Sequence, residues 1–159
     1  MARGYWLMKS EPFKYSWTQL VEDGKTYWDG VRNYEARNNL AAMKKGDLAF
    51  YYHSNEGKEV VGIAEIVGEA YPDPTAEDPQ WVVVDVAPVV PFVQPVTLAT
   101  IKADPKLSEI GLVKRGRLSV VPISAADFRY VAKLGKTKVP PEKKSAAPKK
   151  ATGAKARAT

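Results

Sequence analysis

Residues 48–70 read Leu-Ala-Phe-Tyr-Tyr-His-Ser-Asn-Glu-Gly-Lys-Glu-Val-Val-Gly-Ile-Ala-Glu-Ile-Val-Gly-Glu-Ala and are the clearest structural signal in the chain. Apolar, β-branched and aromatic residues dominate 48–53 and 60–70, and a polar turn with a glycine separates them at 54–57. This pattern is typical of two strands joined in a hairpin. The sequence therefore predicts a β-hairpin here.

Additional strands are predicted on both sides of this hairpin. Residues 5–9 and 117–122 form short apolar runs, and residues 81–90 are largely apolar at both alternating positions. A strand that is apolar on both faces is typical of the centre of a sheet. We therefore expect 81–90 to be a central strand of a curved sheet or barrel.

Three short helices are predicted in the connections. Ser16 precedes Gln19 by three residues, which is a capping-box spacing, and Ser124 is placed to cap the last helix. The predicted helices run from Ser16 to Glu22, from Asn33 to Met43 and from Ser124 to about Leu134. The two lysines and the glycine at 44–46 are expected to complete and end the second helix. Strands with helices inserted between them indicate an α+β fold, most simply a small barrel.

The composition limits the chemistry that the chain can perform. It has 159 residues, 45% of them hydrophobic, no Cys and a single His, His53. This length suits one domain, in which we expect Trp6 and Trp17 to be core residues. The absence of Cys excludes disulfides and cysteine zinc sites, and a single His excludes multi-histidine metal sites. We expect a cytoplasmic protein, because charge precedes any long apolar run at the N-terminus and residues 81–93 are interrupted by Asp85 and two prolines.

The net charge of +6 is distributed unevenly. Residues 1–134 carry 16 Lys and Arg against 17 Asp and Glu, whereas residues 135–159 carry eight against one. The last segment has too little apolar surface to offset chain entropy, so we predict a domain over 1–134 and a disordered basic Lys/Ala/Pro tail over 135–159. Such tails add salt-dependent affinity for nucleic acid. The alternative is a solubilising tail without a specific partner.

Residues 28–39, Trp-Asp-Gly-Val-Arg-Asn-Tyr-Glu-Ala-Arg-Asn-Asn, are the strongest functional signal. Trp and Tyr offer flat faces for stacking, Arg offers a planar fork of donors, and Asn both donates and accepts hydrogen bonds. This mixture is typical of a pocket for one unstacked nucleobase. The structural alternative is a helix start with a buried Trp28, a capping Asn33 and an Arg37 paired with a nearby carboxylate.

Three other segments carry candidate binding residues. Residues 9–11, Lys-Ser-Glu, end the first strand, where Glu11 is placed to accept from an exocyclic amine; the alternative is a solvated charge at a strand end. Residues 52 and 53, Tyr and His, belong either to the wall of an aromatic site or to the core. Three cations in 114–117 fit a clamp on a backbone phosphate or an ordinary solvated loop.

Recognisable catalytic motifs are absent from the sequence. It contains no Gly-x-Ser-x-Gly elbow, no phosphate-binding Gly loop and no dinucleotide fingerprint. His53 and Ser54 are neighbours, and neighbours on a strand point to opposite faces, so they do not easily form a nucleophile–base pair. Lys9 with Glu11 or Glu65 provides the residue types of an acid–base group, but the spacing of these residues along the sequence does not require that they form one. The sequence favours binding over catalysis.

Seven motifs, in order along the chain, resemble the EVE domain family. They are 5–12 (Tyr-Trp-Leu-Met-Lys-Ser-Glu-Pro), 28–34 (Trp-Asp-Gly-Val-Arg-Asn-Tyr), 36–40 (Ala-Arg-Asn-Asn-Leu), 52–55 (Tyr-His-Ser-Asn), 62–65 (Gly-Ile-Ala-Glu), 71–74 (Tyr-Pro-Asp-Pro) and 117–120 (Arg-Leu-Ser-Val). The resemblance covers about residues 4–134 and leaves the basic tail outside.

This resemblance implies a PUA-like fold, a small β-pseudo-barrel with short helices packed around it, related to YTH and ASCH domains. EVE domains are regarded as readers of modified bases in DNA, such as methylated or hydroxymethylated cytosine. The implied mechanism is base flipping and binding beside Trp28 without catalysis. The residues expected in the base pocket are Lys9, Ser10, Glu11, Trp28, Asn33, Tyr34, Tyr52, His53 and Ser54, and those expected at the phosphates are Arg32, Arg37, Asn38, Arg117 and Ser119.

The expected partner is therefore nucleic acid, DNA more than RNA, bound by a monomer in the cytoplasm or nucleoid without metal, cofactor or membrane. Two alternatives stay open. A PUA-like domain can instead bind structured RNA by its shape. ASCH relatives hydrolyse modified nucleosides with Lys and Glu, a role that Lys9 with Glu11 or Glu65 would fill here.

Overall fold

Six strands form a single mixed sheet in this computed structural model, which describes residues 4–12, 14–29, 31–54, 57–115 and 118–140. The strands are β1 (Tyr5–Ser10), β2 (Thr26–Tyr27), β3 (Leu48–His53), β4 (Glu59–Pro72), β5 (Val82–Thr97) and β6 (Val120–Pro122). Their order is β2-β5-β4-β3-β1-β6, and no pairing in the described residues joins the two edge strands, so the sheet is open. The predicted α+β class is confirmed.

Strands β1 and β3 lie side by side and run parallel, with Lys9 beside Tyr52 and Ser10 beside His53. A parallel pair needs a long crossover connection, which residues 11–47 supply. The other pairings, β1 with β6, β2 with β5, β3 with β4 and β4 with β5, are antiparallel. Because β1 and β3 end at the same edge of the sheet, the residues that follow them meet there.

The predicted hairpin is present as β3 and β4, and β4 continues into a second, longer hairpin with β5. The β4–β5 ladder contains four register shifts, the first between Val60 and Gly62 and the last between Gly68 and Tyr71. Such irregularities bend strands and increase their twist, which curves this open sheet toward a pseudo-barrel. A Cβ atom at Gly62 would lie 2.7 Å from the ring of Trp17, so the packing there requires glycine.

The expectation that 81–90 is a central strand is wrong in part. β5 is longer than predicted and lies between β4 and the edge strand β2, which covers only two of its residues. Its first half is buried at Val83 and Val84, whereas Val93 in its second half is 74% exposed. The strand predicted over 117–122 is β6, which begins at Val120.

Five α-helices lie in the described connections. They are α1 (Trp17–Asp23), α2 (Tyr34–Ala42), α3 (Leu98–Ala103), α4 (Gly111–Lys114) and α5 (Ala125–Leu134), and a 3₁₀ turn covers Pro105–Leu107. The side chains of Ser16, Asn33 and Ser124 cap α1, α2 and α5 by accepting backbone N–H bonds at 3.0, 2.9 and 3.1 Å. These caps confirm three helix starts, whereas α3 and α4 have no counterpart in the sequence prediction.

The end of α2 differs from the prediction. The helix ends at Ala42, so Lys44 and Lys45 lie beyond its last turn. Gly46, with φ at +99°, belongs instead to the turn that enters β3. The buried carboxylate of Asp47 accepts the backbone N–H of Lys44 at 3.0 Å, and this bond holds the chain in the turn rather than in the helix.

The core lies where α5 and the other helices pack on the sheet. The rings of Phe50 on β3 and Phe128 on α5 stack with centroids 3.9 Å apart. Trp6 and Trp17 are buried, as predicted. The indole N–H of Trp6 donates to Asp47 at 3.0 Å, so this buried polar group has its hydrogen bond.

The folded unit continues past residue 134, where the sequence predicts that the tail begins. The hydroxyl of Thr137 accepts the backbone N–H of Val93 at 3.0 Å. Thr137 is buried, and Val139 packs against the core. Residues 135–140 are therefore part of the domain, and residues 141–159 lie outside the described residues.

Candidate functional site

A cavity of about 680 Å³ opens near the edge where β1 and β3 both end. Its volume falls within the range of roughly 300–1,000 Å³ that is typical of ligand sites. Four segments of the chain line it: Lys9, Ser10, Glu11, Lys14 and Tyr15; Thr26, Tyr27, Trp28 and Asp29; Ser54; and Ser119. The cavity thus brings together six of the predicted site residues: Lys9, Ser10, Glu11, Trp28, Ser54 and Ser119.

Backbone hydrogen bonds fix these distant segments against each other. The N–H of Ser54 donates to the carbonyl of Ser10, and the N–H of Lys9 donates to the carbonyl of Ser119, both at 2.9 Å. The first bond extends the parallel β1–β3 pair by one residue. The second ties β1 to the segment that leads into β6, so the cavity rests on paired strands rather than on loops alone.

Within the described part of the chain, Trp28 is one of three aromatic residues that line the cavity, together with Tyr15 and Tyr27. Its backbone N–H donates to the carbonyl of Val84 at 2.8 Å, which places it beside β5. Its ring packs edge-on against Tyr51, with centroids 5.5 Å apart and planes at 86°. Because the residue is only 9% exposed, Trp28 belongs both to the core and to the cavity wall.

A shared acceptor, the carbonyl oxygen of Tyr15, organises the polar side of the cavity. The hydroxyl of Ser10 donates to it at 2.8 Å and the hydroxyl of Tyr51 at 2.6 Å. Burial raises the pKa of Tyr51, so its hydroxyl stays protonated and remains a donor. Since a serine hydroxyl has one hydrogen and two lone pairs, Ser10 can present only acceptor capacity to a ligand while it keeps this bond.

Among the described residues, the charges that line the cavity balance. Lys9 and Lys14 are matched by Glu11 and Asp29, and Lys14 Nζ lies 3.3 Å from Glu11 Oε1. Partial burial lowers the pKa of Lys9, because desolvation disfavours the ammonium form. A cavity with an aromatic wall and balanced charges suits a flat, polar ligand without net charge better than it suits a polyphosphate.

A second group of predicted residues lies on α2 or just before it and contacts the loop before β5. The ring of Tyr34, which is 59% exposed, packs on Trp81 with centroids 5.1 Å apart. The guanidinium of Arg37 lies 5.3 Å from the Tyr34 ring, and that of Arg32 lies 5.8 Å from the Trp81 ring. We name these four residues, in the order Arg37, Tyr34, Trp81 and Arg32, the cation–aromatic ladder.

Both arginines of the ladder also have polar partners. Arg32 Nη1 lies 3.0 Å from the buried carboxylate of Asp73. Arg37 donates from Nη1 to Gln80 Oε1 at 3.2 Å and from Nη2 to Asn38 Oδ1 at 2.8 Å. The ladder therefore pins the loop before β5 onto α2, and it does not line the cavity.

The remaining predicted residues have separate positions. Tyr52 is buried and faces a smaller groove next to the cavity. His53 Nε2 accepts the backbone N–H of Trp17 at 3.1 Å. Burial lowers the pKa of His53, and the nearby Glu59 carboxylate opposes this shift only in part. Asn33 caps α2, and Arg117 lies outside the described residues.

Five lining residues are absent from the sequence prediction: Lys14, Tyr15, Thr26, Tyr27 and Asp29. Asp29 lies within the segment 28–39 but was not distinguished from its neighbours by any pattern. The strand β2 has only two residues, so the alternation of apolar and polar residues that predicts a strand cannot be recognised there. Lys14 and Tyr15 reach the cavity because the turn after β1 folds back, with both backbone N–H groups donating to the Glu11 carbonyl at 2.9 and 3.0 Å.

Across the described ranges, no three His, Asp or Glu side chains are grouped so that they could hold a metal ion. In the same residues, no helix is long and apolar enough to cross a bilayer.

Comparison with known proteins identifies close relatives. The family model named EVE domain matches residues 4–134. Thymocyte nuclear protein 1 of Mus musculus is 38% identical over 167 residues, which cover 84% of this chain and 74% of the mouse protein. A crystal structure of an Agrobacterium tumefaciens protein superposes with a TM-score of 0.85 at 47% identity, covering 89% of this chain and 99% of that one.

Two similar structures were solved with modified bases. The human THYN1 protein, in complex with DNA that contains 5-methylcytosine, has a TM-score of 0.78 at 35% identity and covers 86% of this chain and 99% of its own. The Pho92 YTH domain in complex with m6A has a TM-score of 0.53 at 16% identity, covering 86% and 87%. The second likeness concerns the fold alone, which is the PUA-like fold that the sequence motifs imply.

Proposed function

Because this chain belongs to the EVE domain family, we propose that it is a nucleic-acid-binding reader of a modified base, 5-methylcytosine in DNA, and that the cavity beside Trp28 holds that base. The human THYN1 complex with 5-methylcytosine DNA supports both the ligand and the kind of nucleic acid. The charges and aromatic side chains of the cavity support its assignment as the site of the base.

The observation that carries this proposal is a cavity whose described lining is balanced in charge and includes the aromatic residues Trp28, Tyr15 and Tyr27. A nucleobase is flat and uncharged, and stacking on an aromatic ring contributes about 1–3 kcal/mol per base. Cytosine presents an exocyclic amine that donates, and the lone pairs of Ser10 and the carboxylate of Glu11 are acceptors. A 5-methyl group adds about 0.8 kcal/mol if it is buried.

The base reaches such a cavity only after it leaves the duplex stack, which costs a few kcal/mol. We assign the flanking phosphates to Arg32 and Arg37 of the cation–aromatic ladder, to Asn38, and to Ser119 at the cavity rim, together with Arg117. Contacts to phosphates position the strand without reading its sequence. Selectivity then comes from the cavity, and most of the affinity comes from charge.

The experiment that tests this function uses the full chain and three duplexes that differ at one cytosine, which is unmodified, 5-methylated or 5-hydroxymethylated. Titrations at raised salt suppress sequence-independent binding to phosphates. We expect at least tenfold preference for a modified duplex, which corresponds to about 1.4 kcal/mol. Equal binding to all three duplexes would overturn the proposal, and stronger binding to RNA of the same sequence would replace DNA by RNA.

A matched pair of variants locates the preference. Trp28 and Trp17 both pack edge-on against Tyr51, with centroids 5.5 and 5.6 Å away, but only Trp28 lines the cavity. Trp28→Phe should reduce the preference for the modified duplex, because a smaller ring stacks less well on the base. Trp17→Phe should lose similar packing and keep the preference. A loss in both variants would assign the effect to the core instead.

Catalysis is the second candidate function, because Lys9 and Glu11 line the same cavity and burial lowers the pKa of Lys9. This pair would suit hydrolysis of an acylated cytidine. We propose instead that the bound base is returned unchanged. Incubation of an acylated cytidine with the protein, followed by chromatography, distinguishes the two functions, since release of the free acid would establish an enzyme.

A further inference from the structure

A second groove of about 300 Å³ adjoins the cavity, because Lys9 and Ser54 line both spaces. Its other lining residues are Tyr52, Lys58, Leu98, Lys102, Leu112 and Val113. We name it the lysine groove. Lys9 and Ser54 thus lie between the two spaces, which are neighbours on the surface.

The charge of the groove contrasts with that of the cavity. Among the described residues, Lys9, Lys58 and Lys102 line the groove and no acidic residue does, whereas lysines and carboxylates are equal in number in the cavity. Lys58 and Lys102 are exposed, and in the described part of the chain neither forms an ion pair within 4.0 Å. The groove thus suits an anionic group next to the neutral one that the cavity suits.

The two lysines are held by the framework of the domain. The carbonyl of Lys58 accepts the backbone N–H of Leu98 at 2.8 Å, which joins the start of β4 to the start of α3. Leu98 and Lys102 are four residues apart on α3 and therefore share one face of that helix. Lys58 also adopts a left-handed backbone with φ at +49°, which few non-glycine residues do.

Part of the groove lining is apolar. Leu98, Leu112 and Val113 supply it, and Leu112 is buried in the core. Apolar side chains offer contact to a sugar or to the face of a base, but nothing to a free inorganic anion. A lining that combines lysines with apolar side chains matches a nucleotide.

From this arrangement we propose that the lysine groove binds the nucleotide adjacent to the read base on the same strand, with its phosphate at Lys58 and Lys102 and its sugar or base against Leu98, Leu112 and Val113. The proposal rests on the proposed function, since it assumes that a base occupies the cavity. It adds a subsite that makes recognition depend on a particular phosphate.

The test removes one phosphate charge at a time. Duplexes with one 5-methylcytosine carry an uncharged methylphosphonate at the linkage on its 5′ side or on its 3′ side, and the full chain is titrated with each. We expect one of the two substitutions to weaken wild-type binding by about tenfold, which is about 1.4 kcal/mol. The double variant Lys58→Gln/Lys102→Gln should bind the unsubstituted duplex more weakly and show no further loss with that methylphosphonate.

The double variant Lys44→Gln/Lys45→Gln is the matched control. It removes the same charge from exposed lysines that precede β3, at the end of the β1–β3 pair opposite to the cavity. This variant should stay as sensitive to the methylphosphonate as the wild type. If the methylphosphonate weakens binding of Lys58→Gln/Lys102→Gln by the same factor as it weakens binding of the wild type, the subsite is overturned. The same conclusion follows if the two double variants respond equally to the methylphosphonate. Absence of any preference for methylated duplex in the wild type would instead overturn the proposed function, and the subsite with it.

Discussion

Ser10 and Tyr51 donate their hydroxyl hydrogens to the same atom, the carbonyl oxygen of Tyr15. Ser10 lines the cavity, whereas Tyr51 lies behind it in the core. The two hydroxyls thus have the same structural partner, but only one of them can also accept from a ligand.

Ser10→Ala should therefore separate stability from recognition. Tyr51 still donates to the Tyr15 carbonyl, so the free energy of unfolding should fall by only about 0.5–1.5 kcal/mol. Affinity for the methylated duplex should fall by up to about tenfold, because the acceptor for the base amine is lost. Urea denaturation and duplex titration measure the two effects. Tyr51→Phe is the control, and it should lower stability without changing affinity.

The pH dependence of stability should contain a contribution from His53. Burial lowers the pKa of His53 below its usual 6.5, and its Nε2 accepts the N–H of Trp17 only while it is unprotonated. Between the folded and unfolded pKa values the unfolded chain binds more protons. The free energy of unfolding should therefore decrease as pH falls below about 6.5 toward the folded pKa.

His53→Gln isolates this contribution, because a glutamine oxygen still accepts a hydrogen bond but does not titrate. Denaturant titrations of the wild type and the variant from about pH 7.5 to pH 5 measure the difference. The wild-type profile should be steeper in this interval. If the free energy of unfolding depends on pH in the same way in the wild type and in His53→Gln, the folded state tolerates protonation of His53.

The ion pair of Arg32 and Asp73 should contribute to stability more than the contacts of Arg37 do. The carboxylate of Asp73 is buried, and it also accepts from the backbone N–H and hydroxyl of Thr75 at 2.7 and 2.6 Å. Arg32→Gln removes the cation from a buried carboxylate and should lower the free energy of unfolding by about 1–3 kcal/mol. Arg37→Gln removes contacts to the uncharged side chains of Gln80 and Asn38 and leaves no buried charge unpaired, so the loss should be smaller, about 0.5–1.5 kcal/mol.

Thermal or urea unfolding of both variants measures these changes, and Arg32→Gln/Asp73→Asn completes the cycle. The double variant should recover part of the loss, since it removes the uncompensated charge as well. In duplex titrations, Arg37→Gln should weaken binding to methylated and unmethylated DNA alike, as expected for a phosphate contact. A change in the ratio of the two affinities would instead link Arg37 to the base.

Deletion of residues 141–159 should weaken DNA binding without altering its selectivity. This segment carries six Lys and Arg and a single acid, Glu142. The affinities for methylated and unmethylated duplexes should fall by the same factor, and the slope of log K against log salt should decrease by about 0.9 for each lost phosphate contact. Binding titrations over a series of salt concentrations test this.

A longer deletion, from residue 135 onward, provides the contrast. It removes Thr137 and Val139, which pack against β5 and the core. This protein should lose stability as well as affinity, which unfolding curves would reveal. Equal stability of the two truncated proteins would show that residues 135–140 contribute nothing to the fold.

The parts of the fold that depend on short-range patterns could be predicted from the sequence. The β3–β4 hairpin follows from its alternation and its turn, and the caps at Ser16 and Ser124 follow from their local spacing. Lys9, Ser10 and Glu11 could be assigned to a site because they end a strand. Their association with Ser54 follows from the parallel β1–β3 pairing, which no local pattern specifies.

Long-range contacts explain what could not be predicted. Arg32, Tyr34 and Arg37 are the same residue types that a base pocket uses, but Trp81, Asp73 and Gln80 hold them outside the cavity lining. These partners lie more than 40 residues away along the chain. Similarly, the second half of β5 is exposed because its neighbour β2 is only two residues long, which depends on tertiary pairing rather than on composition.

The hydrogen bond from the Lys9 N–H to the Ser119 carbonyl has a consequence for synthesis on the ribosome. Strand β1 is translated first, yet it lies between β3 and β6, and β6 emerges more than one hundred residues later. A nascent chain that already contains Trp28 and Ser54 still lacks one wall of the cavity. Chains that end before Ser119 and β6 therefore cannot complete the lining of the cavity.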